Sequence, residues 1–259
     1  MSKKLADIAR LVRSYILTAT TEAGSGHPSS SLSATDLMTV LMFGGFFKSG
    51  ADRLIFSKGH AAPLFYALYA ALGKIPTEEL MTLRKYKSRL GGHPSMSLPF
   101  TEAATGSLGQ GLSVGIGISL VSKNRTYVLL GDSEMAEGSI WEAIQFAAHR
   151  KLDNLIAILD VNRLGQRGET MHGHDVRAYE QRVSAFGWKT IVIDGHNFDE
   201  IAKAYSSALT ANQLKANTYP TMIIAKTIKG KGVKIMEDKD GWHGKPLSKE
   251  ELKIALHEL

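Results

Sequence analysis

An α/β fold, with a mostly parallel sheet and helices on both faces, is the class this sequence predicts. Helical spacing of apolar residues dominates the first third of the chain, and from about residue 126 short apolar runs alternate with helices. No internal repeat, linker or low-complexity segment interrupts that order, so the expectation is a single domain over residues 1–259.

The elements follow in turn. Residues 4–23 and 33–43 carry apolar residues at helical intervals, and Ala61 to Leu72 continues the helical character. Pro76-Thr77-Glu78-Glu79 starts a further helix, with carboxylates in a first turn that exposes backbone N–H groups. Thr105-Gly106-Ser107-Leu108-Gly109-Gln110-Gly111 reads as a loop feeding the apolar run Leu112 to Val121. Tyr127 to Leu130, Leu155 to Leu159, Thr190 to Ile193 and Thr221 to Ala225 read as strands. Asn197 with Glu200, and Ser248 with Glu251, have the three-residue spacing of a capping box.

With 259 residues, 44% hydrophobic and 22% charged, the chain is long enough for a substantial core and shows no signature of disorder. Its net charge of +6 is spread along the sequence with no Lys/Arg block interleaved with aromatics, which favours phosphorylated small molecules over nucleic acid. The absence of cysteine excludes disulfides and thiolate chemistry. Leu37 to Phe47 and Ala61 to Leu72 are too short to span a bilayer, and residues 1–10 lack the apolar core of a signal peptide. The expectation is a cytoplasmic protein with neither a membrane nor a nucleic-acid partner.

Gly131-Asp132-Ser133-Glu134-Met135-Ala136-Glu137-Gly138 and, further on, Leu159-Asp160-Val161-Asn162-Arg163-Leu164 read as a site for a divalent metal and a diphosphate. Glycine lets the backbone approach a phosphate, and the Asp132 carboxylate and Asn162 carboxamide are hard oxygen donors. Each follows an apolar strand, so both fall beyond the carboxyl ends of a parallel sheet, where ligands bind in such folds. The loop at Gly106 to Gly111 precedes a helix N-terminus, which favours phosphate. An alternative for Gly111 and Gly115 is close packing of one bare helix face, and the two readings are compatible. Gly109-x-Gly111 has no strand before it and no correctly placed third glycine, which argues against a dinucleotide site.

Five of the nine histidines directly follow glycine: His27, His60, His93, His174 and His196. A preceding glycine allows a tight turn that presents the imidazole from a loop. His27, His60 and His93 lie between predicted helices, where a common pocket is possible, and His243 joins them after the last strand. Glu134 and Glu137 read either as a solvated first helical turn or as a buried carboxylate wired to a neighbouring subunit's site. Lys226, Lys229, Lys231 and Lys234 read as a solvated basic loop, or as the source of one lysine that neutralises a diphosphate. For Arg163, Gln166 and Arg167, solvation and ligand contact both remain open.

Taken together, Ser25-Gly26-His27-Pro28, Ser57-Lys58-Gly59-His60-Ala61-Ala62-Pro63, Gly106-Ser107-Leu108-Gly109-Gln110-Gly111, Gly131-Asp132 with Glu137-Gly138, Asn162-Arg163-Leu164-Gly165-Gln166 and Trp242-His243-Gly244-Lys245-Pro246 resemble the N-terminal half of transketolase. The resemblance covers essentially the whole chain and implies the diphosphate domain of the thiamine diphosphate-binding fold. It implies thiamine diphosphate as cofactor, with Mg²⁺ or Ca²⁺ held by Asp132, Asn162 and the carbonyl of Leu164. Ser30, His60, Gly106, Ser107, Leu108, Gly131, Asp132, Ser133, Glu137, Asn162, Gln166, Lys229 and His243 would form the cofactor set. His27, His60, His93 and His243 would bind ketose hydroxyls and shuttle protons while a two-carbon ketol unit passes between sugar phosphates.

Two departures from the family pattern shape further expectations. Ser133 stands where the family usually has glycine, and if that position demands positive φ, cofactor binding is weakened at a cost on the order of 1 kcal/mol or more. The chain also stops soon after Trp242-His243-Gly244, where a full transketolase continues into its pyrimidine-binding domain. The expectation is therefore a split transketolase: a C-terminal subunit would supply that domain and its catalytic glutamate, with two copies of each chain in the assembly. Two other readings stay open: a split enzyme acting on a deoxy or sulfonated sugar, and a cofactor-binding module without catalysis.

Overall fold

A computed structural model of the chain describes residues 2–213 and 219–259. Its frame is a five-stranded, all-parallel sheet of β1 (Arg53–Phe56), β2 (Thr126–Gly131), β3 (Leu155–Val161), β4 (Lys189–Asp194) and β5 (Thr221–Lys226), in the order β1-β2-β3-β5-β4. In the register of the central pair, Gly131 lies opposite Asp160, so the residues after β2 and β3 emerge side by side. The same edge receives the loops after β1 and β5, beginning at Ser57 and Thr227.

Alternate residues of the strands feed two cores, as the pleat requires. Tyr127, Leu129, Ile156 and Ile158 point to one face, covered by α1 (Ser2–Ala23), α3 (Thr35–Phe43), α4 (Ala62–Ala71), α8 (Phe198–Gln213) and α9 (Lys249–Glu258). Val128, Leu130, Leu155, Ala157 and Leu159 point to the other, under α5 (Gln110–Val121), α6 (Gly138–His149) and α7 (Val176–Ala185). The six-residue α2 (Pro28–Ser33) lies at the sheet's carboxyl edge, and every one of its residues is buried. Among the described residues no helix is long and apolar enough to cross a membrane.

Local chemistry explains the element ends. The α9 cap is reciprocal as expected, Ser248 Oγ accepting from Glu251 N and Glu251 Oε2 from Ser248 N. Asn197 caps α8 by accepting from Asp199 N and Glu200 N, but the expected box does not close, because Glu200 accepts instead from Asp194 N and Asn197 Nδ2. Pro76-Thr77-Glu78-Glu79 opens a 3₁₀ segment, Thr77–Thr82, rather than an α-helix. The four expected strands are present, each slightly longer than its apolar run, and β1 is an additional one. Four residues give no period to read, so β1 is defined by its pairing with β2.

Helix α5 owes its close seating to glycine. A Cβ on Gly111 would lie 2.5 Å from Ser57 Cβ and 2.7 Å from Ser57 Cα, and one on Gly115 would lie 2.6 Å from a Val128 methyl. Gly117, on the outer side, meets nothing within 4 Å. Gly111→Ala is therefore expected to lower unfolding free energy by about 1–3 kcal/mol, since backbone and not only a rotamer must move. Gly117→Ala should be neutral or raise it by up to about 1 kcal/mol through helix propensity. Urea titrations of the two variants check the contrast.

Candidate active site

The carboxyl ends of β1, β2, β3 and β5 converge on a buried carboxylate. Asp160, fully buried in β3, is bonded by Lys58 Nζ from the loop after β1, by Thr227 Oγ1 after β5, by Ser33 Oγ of α2 at 2.6 Å and by Asn162 Nδ2 at 3.2 Å. Burial pushes the Asp160 carboxyl up, but the Lys58 ammonium outweighs it and holds the group below the ordinary carboxylate range. Lys58 Nζ also donates to the Ser30 carbonyl at 3.1 Å, completing the tie between strand and helix.

Above this network lies a cavity of about 320 Å³. His27, His60, His93 and His243 line it, together with Ser30, Gly106, Leu108, Gly131, Asp132, Ser133, Asn162, Leu164 and Gln166. Three of the imidazoles form a triangle, with ring centroids 5.3 Å apart for His27–His60, 4.9 Å for His27–His243 and 5.4 Å for His60–His243. His93 packs its ring over Gly106, where a Cβ would approach it to 3.1 Å, and its carbonyl accepts from Tyr66 Oη at 3.1 Å. His174 and His196 lie elsewhere. His174 Nε2 meets the Thr227 carbonyl, and His196 bridges Asp36 and Ile228 N.

Burial, reinforced by neighbouring positive groups, keeps these rings neutral. It lowers His27 to about 4, with His93 and Arg84 adding to the effect, and His243 to about 3, with Lys229 adding. Burial and Lys58 hold His60 well below the usual imidazole value, and burial with Arg84 lowers His93. Lys229 Nζ donates to His243 Nδ1 at 3.0 Å; an ammonium cannot accept, so the His243 proton resides on Nε2. His27 Nδ1 is buried without a hydrogen-bond partner among the described residues.

The oxygen donors on the cavity floor are fixed by backbone. Asp132 accepts from Ser133 N at 2.9 Å and from Arg163 N at 2.6 Å, and Asn162 Oδ1 accepts from Leu164 N at 3.3 Å. Burial, then the nearby Asp160, raises Asp132 to about 7, so a cation beside it would relieve an unfavourable charge. Among the described residues no group of three or more His, Cys, Asp or Glu side chains is arranged for a metal. One carboxylate, one carboxamide and the Leu164 carbonyl form a different set, and it fits a hard divalent cation.

Several expectations change with the geometry. Ser133 is not among the residues with positive φ and begins a 3₁₀ turn, which removes the expected strain. The left-handed residue is Arg163, at φ 62°, which aims its N–H at Asp132 while its side chain pairs with Asp238 and Glu169. Glu134 is buried and accepts from Ser57 Oγ, Gly109 N and Gly131 N, so it is not a solvated turn, whereas Glu137 is exposed and outside the cavity lining. Ser107 is likewise exposed and outside the lining. Lys229 departs from the solvated-loop reading: it is buried behind the cavity wall and donates to the Leu164 and Gly165 carbonyls.

Lys58 and Asp160 belong to the site although neither was expected among its residues. A charge within the apolar run Leu159-Asp160-Val161 is the available signal, since a buried carboxylate requires a partner.

Comparison with known proteins agrees with this arrangement. The family model described as transketolase, thiamine diphosphate-binding domain, matches residues 3–259. The chain is 46% identical over 268 residues to a transketolase of Pongo abelii, covering 98% of this chain and 42% of that protein. It is 37% identical to the 6-deoxy-6-sulfo-D-fructose transketolase subunit SqwG of Clostridium sp. (strain MSTE9), covering 100% of this chain and 98% of that one. The crystal structure of transketolase from Campylobacter jejuni subsp. jejuni superposes with a TM-score of 0.84 at 32% identity, covering 98% of this chain and 42% of that one. The chain thus spans about two fifths of the length of the full transketolases it matches.

The neutral histidines set a pH dependence. In the unfolded chain His27 and His243 take up protons as pH falls through about 6.5, while in the folded protein they do so only near about pH 4 and about pH 3. The unfolded state therefore binds more protons in that window, and stability present above pH 6.5 is lost towards pH 4. Tm should drop by about 5 °C or more between pH 7.5 and 5. His27→Gln and His243→Gln should each flatten that slope in scanning calorimetry.

Proposed function

The chain belongs to the transketolase family, carrying its thiamine diphosphate-binding domain, and on that premise we propose that it is the diphosphate-binding part of an enzyme moving a two-carbon ketol unit from a ketose phosphate to an aldose phosphate. The observation that carries this reading is the convergence of four histidines over a floor of hard oxygen donors in one cavity. Asp132, Asn162 and the Leu164 carbonyl would hold Mg²⁺ or Ca²⁺ in this proposal, and the ion would supply positive charge to a cofactor diphosphate. Gly106 makes room for the His93 ring beside the cavity, and Gly131 would let the backbone approach the cofactor.

Thiamine diphosphate, when bound, supplies the carbanion-stabilising group on which ketol transfer depends. The protein's own contribution is to bind and orient the sugar and to move protons. His243, with Nδ1 engaged by Lys229, offers Nε2–H as a donor to a sugar hydroxyl. His27 and His60, kept neutral by burial, can each accept a proton from a hydroxyl and return it. His93, the exposed one of the four, would join them in binding a ketose hydroxyl.

Completion of the site by a C-terminal polypeptide, bearing a pyrimidine-binding domain and a catalytic glutamate, is part of the proposal, with two copies of each chain in the assembly. Its support is the relative of matching length that is itself named a transketolase subunit. The same relative favours one second reading, in which the donor sugar is deoxygenated and sulfonated at its far end.

With Mg²⁺, thiamine diphosphate and a ketose phosphate, the chain alone is expected to show no ketol transfer, and to gain it when a polypeptide equivalent to the C-terminal part of transketolase is added. Robust turnover by the chain alone would sink the two-chain proposal. In calorimetric titrations Asp132→Asn should weaken Mg²⁺-dependent cofactor binding by about tenfold or more. Ser133→Gly should change it by less than about threefold, because no strain is present to relieve.

A further inference from the structure

His196 follows a glycine, as the cavity histidines do, yet it stands outside the cavity lining, in the loop after β4. Both of its ring nitrogens are engaged. Nδ1 lies 2.8 Å from Asp36 Oδ2, and Nε2 accepts from the Ile228 N–H at 2.9 Å. A backbone N–H can only donate, so the ring proton sits on Nδ1 and is given to the carboxylate. Asp36, in α3, is in turn gripped through both oxygens by Arg13 of α1, at 2.8 Å each. Arg13 and Asp36 are buried, and only 12% of the His196 side chain is exposed. Burial pushes the Asp36 carboxyl up, but Arg13 and His196 outweigh it and hold the group below the ordinary carboxylate range.

This cluster grips both ends of one turn. His196 holds Ile228 N, Arg13 Nε donates to the Lys231 carbonyl at 3.2 Å, and Lys231 N closes the turn on the Ile228 carbonyl at 3.2 Å. Between those ends Gly230, at φ 77°, gives its N–H to the Ser29 carbonyl of α2 at 2.9 Å. The remaining residue of the turn is Lys229, whose Nζ reaches His243 Nδ1 and the Leu164 and Gly165 carbonyls. A flexible four-carbon stem keeps such a triple contact only when its Cα is held in place.

We propose that His196, braced by Asp36 and Arg13, is a positioning residue that aims Lys229 at His243 by holding the turn at residues 228–231. It acts through the backbone of that turn and from outside the cavity. What His243 then does rests on the ketol-transfer reading; the placement of Lys229 does not.

Acetylation of the full chain by acetic anhydride, without cofactor or metal and read by peptide mass spectrometry, tests that placement. Lys58, equally buried and bonded to Asp160, is the control for general loosening. His196→Phe keeps an aromatic ring but neither hydrogen bond, so Lys229 should be acetylated about fivefold faster or more, with Lys58 unchanged. In His196→Gln the amide can donate to Asp36 and accept from Ile228 N, and the Lys229 rate should stay within about twofold of the parent. The ring-nitrogen NMR resonance of His243 Nδ1 should move towards that of an unbonded nitrogen in His196→Phe and hold its place in His196→Gln. Arg13→Lys keeps a cation on Asp36 but loses the Lys231 contact; it should raise the Lys229 rate about threefold, and it carries the test alone should His196→Phe not fold. A Lys229 rate unchanged by these substitutions, or Lys58 and Lys229 rising together, overturns the proposal. Neither result bears on ketol transfer, which the two-chain turnover assay tests separately.

Discussion

The Asp160 carboxylate, sunk in the middle of the sheet and held by Lys58, is the constraint on which the site depends. Three segments distant in sequence, represented by Ser33, Lys58 and Thr227, reach it through hydrogen bonds or an ion pair, and Asn162, two residues on, adds another hydrogen bond. A buried ion pair of this kind adds little net stability, because desolvation offsets most of the Coulomb attraction. What it fixes is position. An unpaired charge at that depth is so costly that the loops have one acceptable arrangement, and that arrangement presents Asn162, Ser30 and His60 to a single cavity.

A second consequence of burial is electrostatic. Lys58 and Lys229 lie beneath the histidines and discourage protonation, which leaves imidazoles able to donate from one nitrogen and accept at the other. Asp132 is under the opposite pressure, pushed up by burial and by Asp160. Arg163 accepts a left-handed backbone so that its N–H can reach that carboxylate. One strained backbone position and one unfavourable charge thus stand where a ligand would sit, and the surrounding helices and sheet supply the stability that tolerates them.

Much of this was legible in the sequence, and the exceptions share a cause. The strands β2, β3, β4 and β5, the reciprocal cap at Ser248 and the clustering of His27, His60, His93 and His243 follow from local pattern and from the position of loops in a parallel sheet. Strand β1 was not, because its identity comes from hydrogen bonds to β2 more than 70 residues away in sequence. Lys229 read as part of a solvated basic loop, or as one lysine of that loop turned to a diphosphate, because local pattern does not separate it from Lys226 and Lys234, which are exposed; its burial comes from contacts with Leu164, Gly165 and His243 far away in the chain. The shape of Ser133 was similarly hidden: whether a position needs glycine depends on a φ that composition does not encode. Local pattern locates the site, but long-range contacts decide which of its residues face inward.

The strand order carries an implication for how the molecule comes together. Strand β5 lies between β3 and β4 although it is the last of the five in the chain, so β4 has no hydrogen-bonded neighbour until β5 has been made. During synthesis β1, β2 and β3 can pair as they emerge, while β4 and its adjoining helices must wait. Thr227 and Lys229 follow β5 closely, so one link to Asp160 and the support behind His243 come from the segment that joins β3 to β4 in the sheet. Completion of the pocket therefore depends on residues at and after β5, and a chain short of β5 lacks Thr227, Lys229 and His243.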